Sequence, residues 1–302
     1  MVLKKEKDET KSVINELFKR LTRIDVLERY KIEFSDIREI EEDAEFIKKM
    51  SRMVNQKKFG AAPTFELFWE KFRAIDESIT KEQWLKQIYH FCQFLSFPDT
   101  RPELKEISLT RRKLFSLFLL IYRQIIALQH QYEAHSFLAQ YFLTFLSDKE
   151  IGALEQPEEY RCFLDAFDKL FVYEMMALSK EVYQYNTLDH VCGVHALALS
   201  IARQIQKQGL SLDLGIVSGS AAGHDVGKYG CRFSEQKRVP YFHYYYTDMW
   251  FREQNMPYIG HIAVNHSVWD LELENLSLES LILIYSDFRV KNKGNSKEMN
   301  IY

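Results

Sequence analysis

Apolar residues along this chain recur at spacings of three and four, the period of a helix face. Few segments show the alternation of two that marks a half-buried strand. Ile14, Leu17, Phe18, Leu21 and Ile24 form one stripe, and Phe65, Phe68, Trp69 and Phe72 another. Thr80-x-x-Gln83 is a capping-box sequence and opens a third helix with Trp84, Leu85, Ile88 and Phe91 on its apolar side. Leu114–His130 and Phe137–Leu146 read as a helical hairpin across the polar Gln131-Tyr132-Glu133, and loops are expected at 60–63, 97–102 and 152–157. Helices resume at Pro157 and run through Phe163, Phe167, Leu170 and Phe171 to Met176, and a second group begins near Thr187. The fold class expected is all-α. An N-terminal helical region, residues 1–180, packs on a C-terminal helical domain, residues 181–302, with no Gly/Ser-rich linker to sharpen a boundary within 175–185.

Composition narrows the class further. With 302 residues, 46% hydrophobic and 27% charged, the chain can bury one large core or two ordinary ones. A formal charge of -3 gives no general reason to expect nucleic acid or a membrane surface as a partner. Four scattered cysteines (Cys92, Cys162, Cys192, Cys231) include no Cys-x-x-Cys pair, which argues against a zinc ribbon and a disulfide framework and fits a reducing cytoplasm. The charged N-terminus lacks the apolar stretch of a secretory signal. The most apolar run, Leu114–Tyr122, is too short to span a bilayer. A soluble, cytoplasmic protein is therefore expected.

Chemistry concentrates late in the chain. His190 stands near the start of a helix, Leu188–Ile205, for which Thr187 is a plausible N-cap, and His224-Asp225 closes the apolar run Ile216–Ala222. Neighbouring side chains on a helix diverge by about 100°, so the doublet can converge on one ligand only where the helix ends. Gly227 and Gly230 would permit that bend. His243 follows among tyrosines, then His261 and His266, and Asp287 interrupts the apolar Leu281–Phe288. Singly, each has an ordinary reading: His190 as a solvated first-turn residue, the doublet as a helix-terminal pair bonding its own backbone, Asp287 as the partner of Arg289.

Their order is what alters the picture. His190, His224-Asp225 and Asp287, with the form His224-Asp225-Val226-Gly227-Lys228, resemble the HD superfamily of metal-dependent phosphohydrolases over about residues 185–295. The doublet is close to the His-Asp-Ile-Gly-Lys form of cyclic-dinucleotide phosphodiesterases and dinucleoside-polyphosphate hydrolases. The Gly-Tyr-Pro signature of the cyclic-di-GMP enzymes is absent, and Ser267-Val268-Trp269 follows His266 where that family has a glutamate. The stretch Asn265–Asn275 looks more like HD modules of long bacterial chains, and a parent longer than this chain is an open expectation.

The resemblance implies a phosphohydrolase or phosphodiesterase acting on a nucleotide or phosphodiester through a metal-activated water. It implies two divalent ions, drawn from Mn, Fe, Co, Ni, Zn or Mg. His190, His224, Asp225 and Asp287 would hold the first, and Asp225, His243 and His266 the second. His261 competes with His243 for that place, and lies about 140° around a shared helix from His266; it is assigned to substrate. Asp225 and Lys228 would carry catalysis, Lys228 neutralising a phosphate oxygen, with Arg232 and Arg238 as weaker phosphate contacts. The tyrosines around His243, with Trp250 and Phe251, read either as core or as the wall of a base-stacking pocket. The alternative function is a nucleotide-sensing module that binds without turnover and signals to a protein partner through the N-terminal helices. The expected ligand is a small-molecule phosphate ester or nucleotide, with no membrane and no nucleic acid.

Overall fold

The computed structural model describes residues 2–133, 142–267, 276–292 and 299–301. Among them the protein is all-α, apart from one antiparallel pair of three-residue strands. It divides into two compact units, and each takes its residues from separated stretches of the chain.

The first unit comprises Met1–Cys92, Glu103–Ser136 and Ala177–Gln184. Its helices are α1 (Val2–Leu21), α2 (Ile24–Tyr30), α3 (Phe34–Glu42), α4 (Ala44–Asn55), α5 (Ala61–Ile75), most of α6 (Lys81–Ser96) and α7 (Leu109–Glu133). The stripe of α5 is its core. Phe65, Phe68 and Phe72 are buried and meet Trp84 of α6 and Phe115 and Phe118 of α7 through tilted and edge-on rings. Each such side chain contributes about 1.5–3 kcal/mol by leaving water. The Thr80–Gln83 capping box forms in both directions, at 2.8 and 3.3 Å. Two expectations fail here. Ile24 does not extend the first stripe: α1 stops at Leu21, and Ile24 opens α2 exposed. Nor is Gly60–Pro63 a loop, because α5 already begins at Ala61.

The second unit comprises Gln93–Pro102, Phe137–Met176 and Tyr185–Tyr302, so it does not start at a single cut after residue 180. Of the expected helix Phe137–Leu146, residues 137–141 lie outside the described residues and 142–146 are not helical. After the short α8 (Asp148–Ile151) come α9 (Pro157–Lys169) and α10 (Val172–Tyr183), separated by Phe171 at φ 54°; from Ala177 onward α10 belongs to the first unit. Then follow α11 (Leu188–Lys207), α12 (Leu214–Gly223), α13 (Val239–Glu253), α14 (Pro257–Val264) and α15 (Leu278–Arg289). Strands β1 (Val290–Asn292) and β2 (Met299–Ile301) pair in the register Val290 with Ile301. Helix α12 is the hub. It packs on α9, α11, α14 and α15, and its small residues Gly215, Ser218, Gly219, Ala221 and Ala222 are buried. Side chains that small let four neighbours approach one short helix, and its C-terminal end is therefore an interior position.

Candidate metal centre

The His-Asp doublet stands where α12 runs out. Asp213 caps the start of the helix by accepting the Ile216 N–H at 2.9 Å, and His224 ends it. Asp225 leaves helical geometry at φ −100°, ψ 3°, and Val226–Tyr229 continue as a 3₁₀ turn. That departure turns two side chains which a continuous helix would splay apart toward the same space. Gly227 contributes here, but not by unusual conformation, since its φ is not positive. It contributes by having no side chain: a Cβ there would lie 2.0 Å from the His243 carbonyl oxygen and 2.4 Å from the Thr247 nitrogen. Thr247 fixes the contact, its buried hydroxyl accepting the Gly227 N–H and donating to the His224 carbonyl, each at 3.1 Å.

Helix α11 brings His190 to the doublet. Thr187 does not cap this helix through its side chain, because its hydroxyl bonds the Tyr229 hydroxyl instead. Asn186 does the capping, accepting the Asp189 N–H at 3.2 Å and donating to the Asp189 carboxylate at 2.7 Å. His190 Nε2 then lies 2.9 Å from Asp287 Oδ1 on α15, 3.8 Å from Asp225 Oδ2 and 3.3 Å from His224 Nε2. Asp287 is thus partnered by His190 rather than Arg289, whose guanidinium lies over the Tyr285 ring. His243, on α13, and His266 close the other side, their Nε2 atoms 3.4 Å apart and that of His243 3.9 Å from Asp225 Oδ1. His266 is not on one helix with His261: α14 ends at Val264, and His266 lies in the 3₁₀ turn Asn265–Ser267.

Six expected ligands therefore converge. Two overlapping triads, His190/His224/Asp287 and His224/Asp225/His266, have their ligand atoms within 4.8 Å of one another, and His243 joins through His266 and Asp225. Three of the imidazoles share one detail. His224, His243 and His266 each direct Nδ1 at a backbone carbonyl, of Ala221, Val239 and Ala263, at 2.9, 2.8 and 2.6 Å. That contact places a proton on Nδ1 of each ring; in His243 and His266, whose charge burial disfavours, it leaves an Nε2 lone pair facing the cluster, as in ligating histidines. His243 and His266 then present two lone pairs to each other across 3.4 Å, an arrangement a cation relieves. Imidazole and carboxylate without thiolate suit first-row divalent ions, so the residues fit such a group.

The electrostatics are those of an enclosed charge cluster. Burial alone would raise the Asp225 carboxyl, yet Lys228, His224 and His190 hold it well below the usual range. Asp287 behaves likewise, through its hydrogen bonds from His190 and His224. Burial also works against charge on His224, but Asp225 and then Asp287 outweigh it and the imidazole pKa is raised. His266 is pushed down to about 4 by burial and by His224, and burial lowers His243. Lys228 pairs with Asp225 Oδ2, and this contact overrides burial to raise its pKa.

Other expected residues fall outside the cluster. His261 is exposed, with Nε2 3.3 Å from the Asn265 side chain, so of the two rivals it is His243 that lies at the cluster. Arg232 is exposed, its backbone N–H bonded to Glu235. The tyrosine run divides between core and surface. Tyr246, Trp250 and Phe251 are core, Tyr241 and Tyr245 are exposed, and the Tyr244 ring lies tilted against both His243 and His266, with centroids 3.9 and 5.0 Å away. Residues 268–275, part of the stretch that carried the resemblance, lie outside the described residues. Sequence reasoning missed Thr247 and His195. The latter is fully buried on α11 in a polar chain, its Nε2 2.9 Å from the Ser218 hydroxyl, which lies 2.8 Å from the Tyr160 hydroxyl.

Among the described residues no helix is long and apolar enough to cross a membrane. Comparison of the chain with family models, with curated proteins and with solved structures gave no match.

Proposed function

We propose that this chain is a metal-dependent phosphohydrolase acting on a nucleotide or phosphodiester. The observation that carries the reading is the placement of the two Asp225 oxygens. Oδ1 faces His243 at 3.9 Å, while Oδ2 faces His190 and His224 at 3.8 and 3.6 Å. A carboxylate shared in this way between two imidazole groups has the layout of a ligand common to two cations. His190, His224, Asp225 and Asp287 would hold one ion, and Asp225, His243 and His266 the other. Bound divalent ions would supply Lewis-acid activation of a phosphoryl group and of water.

The chain's own groups do the rest. Asp287 orients His190 through their 2.9 Å contact, and the backbone carbonyls of Ala221, Val239 and Ala263 hold three imidazoles in register. Lys228, cationic and half-buried beside Asp225, can offer an N–H to a non-bridging phosphate oxygen. Metal analysis of the purified protein, with bis(p-nitrophenyl) phosphate hydrolysis as the second readout, tests the reading. Bound divalent metal and turnover, both lost in His224→Ala and Asp225→Ala, are expected; a wild type without metal at neutral pH ends the proposal.

One observation favours the second reading, a sensor that binds nucleotide without turnover. The Lys228 ammonium takes Asp225 Oδ2, the oxygen that a cation held by His190 and His224 would need. A lysine there can stand in for one ion. Nucleotide binding without hydrolysis of any phosphoester offered would favour this reading.

A further inference from the structure

Helix α13, which carries His243 into the cluster, also presents an exposed aromatic face. Successive helical residues turn by about 100°, so Tyr244 lies between the inward direction of His243 and Thr247 and the outward direction of Tyr241 and Tyr245. Burial follows this arithmetic. His243 and Thr247 are buried, Tyr244 is half-buried against the His243 and His266 rings, and Tyr241 and Tyr245 are 78% and 63% exposed. Tyr241 and Tyr245 thus lie on the exposed side of α13, next in helical direction to Tyr244 at the ligand cluster. Lys237 and Arg238, at its N-terminal end, are exposed, and no ion pair to either occurs among the described residues. Three tyrosines in sequence with unpaired cations beside them form a bench for a flat, electron-rich ring carrying negative charge.

We propose that this face of α13 is a nucleobase subsite continuous with the candidate metal centre: the ligand's phosphate lies at the cluster, Tyr244 marks the junction, and the base stacks on Tyr241 and Tyr245. Lys237 and Arg238 balance the remaining phosphate charge. The proposal rests on the phosphohydrolase reading for the position of the phosphate, and it deepens that reading by naming the ligand as a free nucleoside phosphate. Stacking of one base on aromatic side chains is worth enough to change affinity by about tenfold or more, whereas ribose and phosphate alone gain nothing from such a bench.

The test is equilibrium binding of AMP, GMP, ribose 5-phosphate and inorganic phosphate to the full chain, with and without Mn²⁺. The nucleotides are expected to bind about tenfold more tightly than ribose 5-phosphate. In a Tyr241→Ala/Tyr245→Ala variant that advantage disappears while ribose 5-phosphate binding is unchanged; both changes are on the surface, and the melting temperature checks that the fold is kept. Equal affinity for nucleotide and ribose 5-phosphate, an advantage that survives in the variant, or no binding of any probe each overturns the subsite. A single-stranded pentanucleotide is the further arm. Affinity no higher than that of AMP agrees with a free nucleotide, and affinity more than about tenfold higher replaces it with nucleic acid and overturns the assignment. Failure of the hydrolase reading looks different: no metal and no turnover, with the base-dependent advantage intact.

Discussion

Gly227 lies so close to His243 that any Cβ on it would stand 2.0 Å from the His243 carbonyl oxygen. The turn after the doublet and the helix bearing one of the expected ligands are thereby in backbone contact, and Thr247 bonds both sides of the junction. Gly227→Ala must push α13 away from the turn. A destabilisation above about 3 kcal/mol is expected, read by denaturant titration, with loss of metal binding.

Thr247→Val keeps the shape of the side chain but leaves the buried Gly227 N–H and His224 carbonyl without their partner. Orphaned buried groups cost about 1–3 kcal/mol. Thr247→Ser keeps the hydroxyl and is expected to recover most of that stability. Equal behaviour of the two variants in denaturant titrations would remove the hydrogen bonds from the account.

His195 sets a pH dependence remote from the ligands. Burial pushes its pKa down to about 3, below the ordinary value near 6.5, so the unfolded chain binds a proton that the folded chain refuses. Stability from this group is full above about pH 6.5 and is lost as pH falls from there toward 3, by up to about 1.4 kcal/mol per pH unit. His130, pushed down to about 4 by burial, acts in the same direction in the other unit. Denaturation midpoints between pH 7.5 and 5 should fall, and less steeply in His195→Gln; an unchanged slope in that variant contradicts the assignment.

Lys228→Met separates the two functional readings. Without metal, the buried Asp225 loses its cationic partner, at a cost of about 3 kcal/mol. If Lys228 competes with a cation for Oδ2, the same variant binds Mn²⁺ more tightly than the wild type by calorimetry. Weaker binding would mean that Lys228 helps to hold the site together rather than occupying it.

His243→Ala is expected to lower metal affinity at least about tenfold, and His261→Ala to leave it unchanged. The converse result would restore His261 as the ligand. For the wild type, Mn²⁺ at about a hundred times its dissociation constant should stabilise the fold by about 2.7 kcal/mol, and chelation should remove that gain.

The sequence made the helices legible wherever an apolar stripe ended at a chemical signal, as at Thr80–Gln83 and Pro157. It misled at Ile24, because Thr22-Arg23 contains no residue that advertises a break and the stripe continues on paper. The strands β1 and β2 are three residues each, too short for alternation to register. Six ligand candidates were readable through the order of histidines and aspartates, since a shared order is visible without distances. Thr247 was not, because its role depends on a turn twenty residues earlier. His195 was not, because a histidine among small helical residues looks the same whether buried or solvated. The helix shared by His261 and His266 was drawn too long, because α14 ends at Val264.

The turn carrying the doublet is also held by partners far behind it in sequence: the Gln93 side chain donates to the Tyr229 carbonyl at 3.0 Å, and the Thr100 hydroxyl to that of Gly230 at 2.9 Å. These contacts close loops of 136 and 130 residues, and closing long loops slows folding. Residues 93–102 leave the ribosome long before the segment they will bind. The chemistry-bearing turn should therefore be among the last regions to gain amide protection in pulsed hydrogen exchange, after the Phe65–Phe72 core, whose partners are near in sequence. A newly made chain would then pass through a stage in which its helices are built and its histidines are still apart.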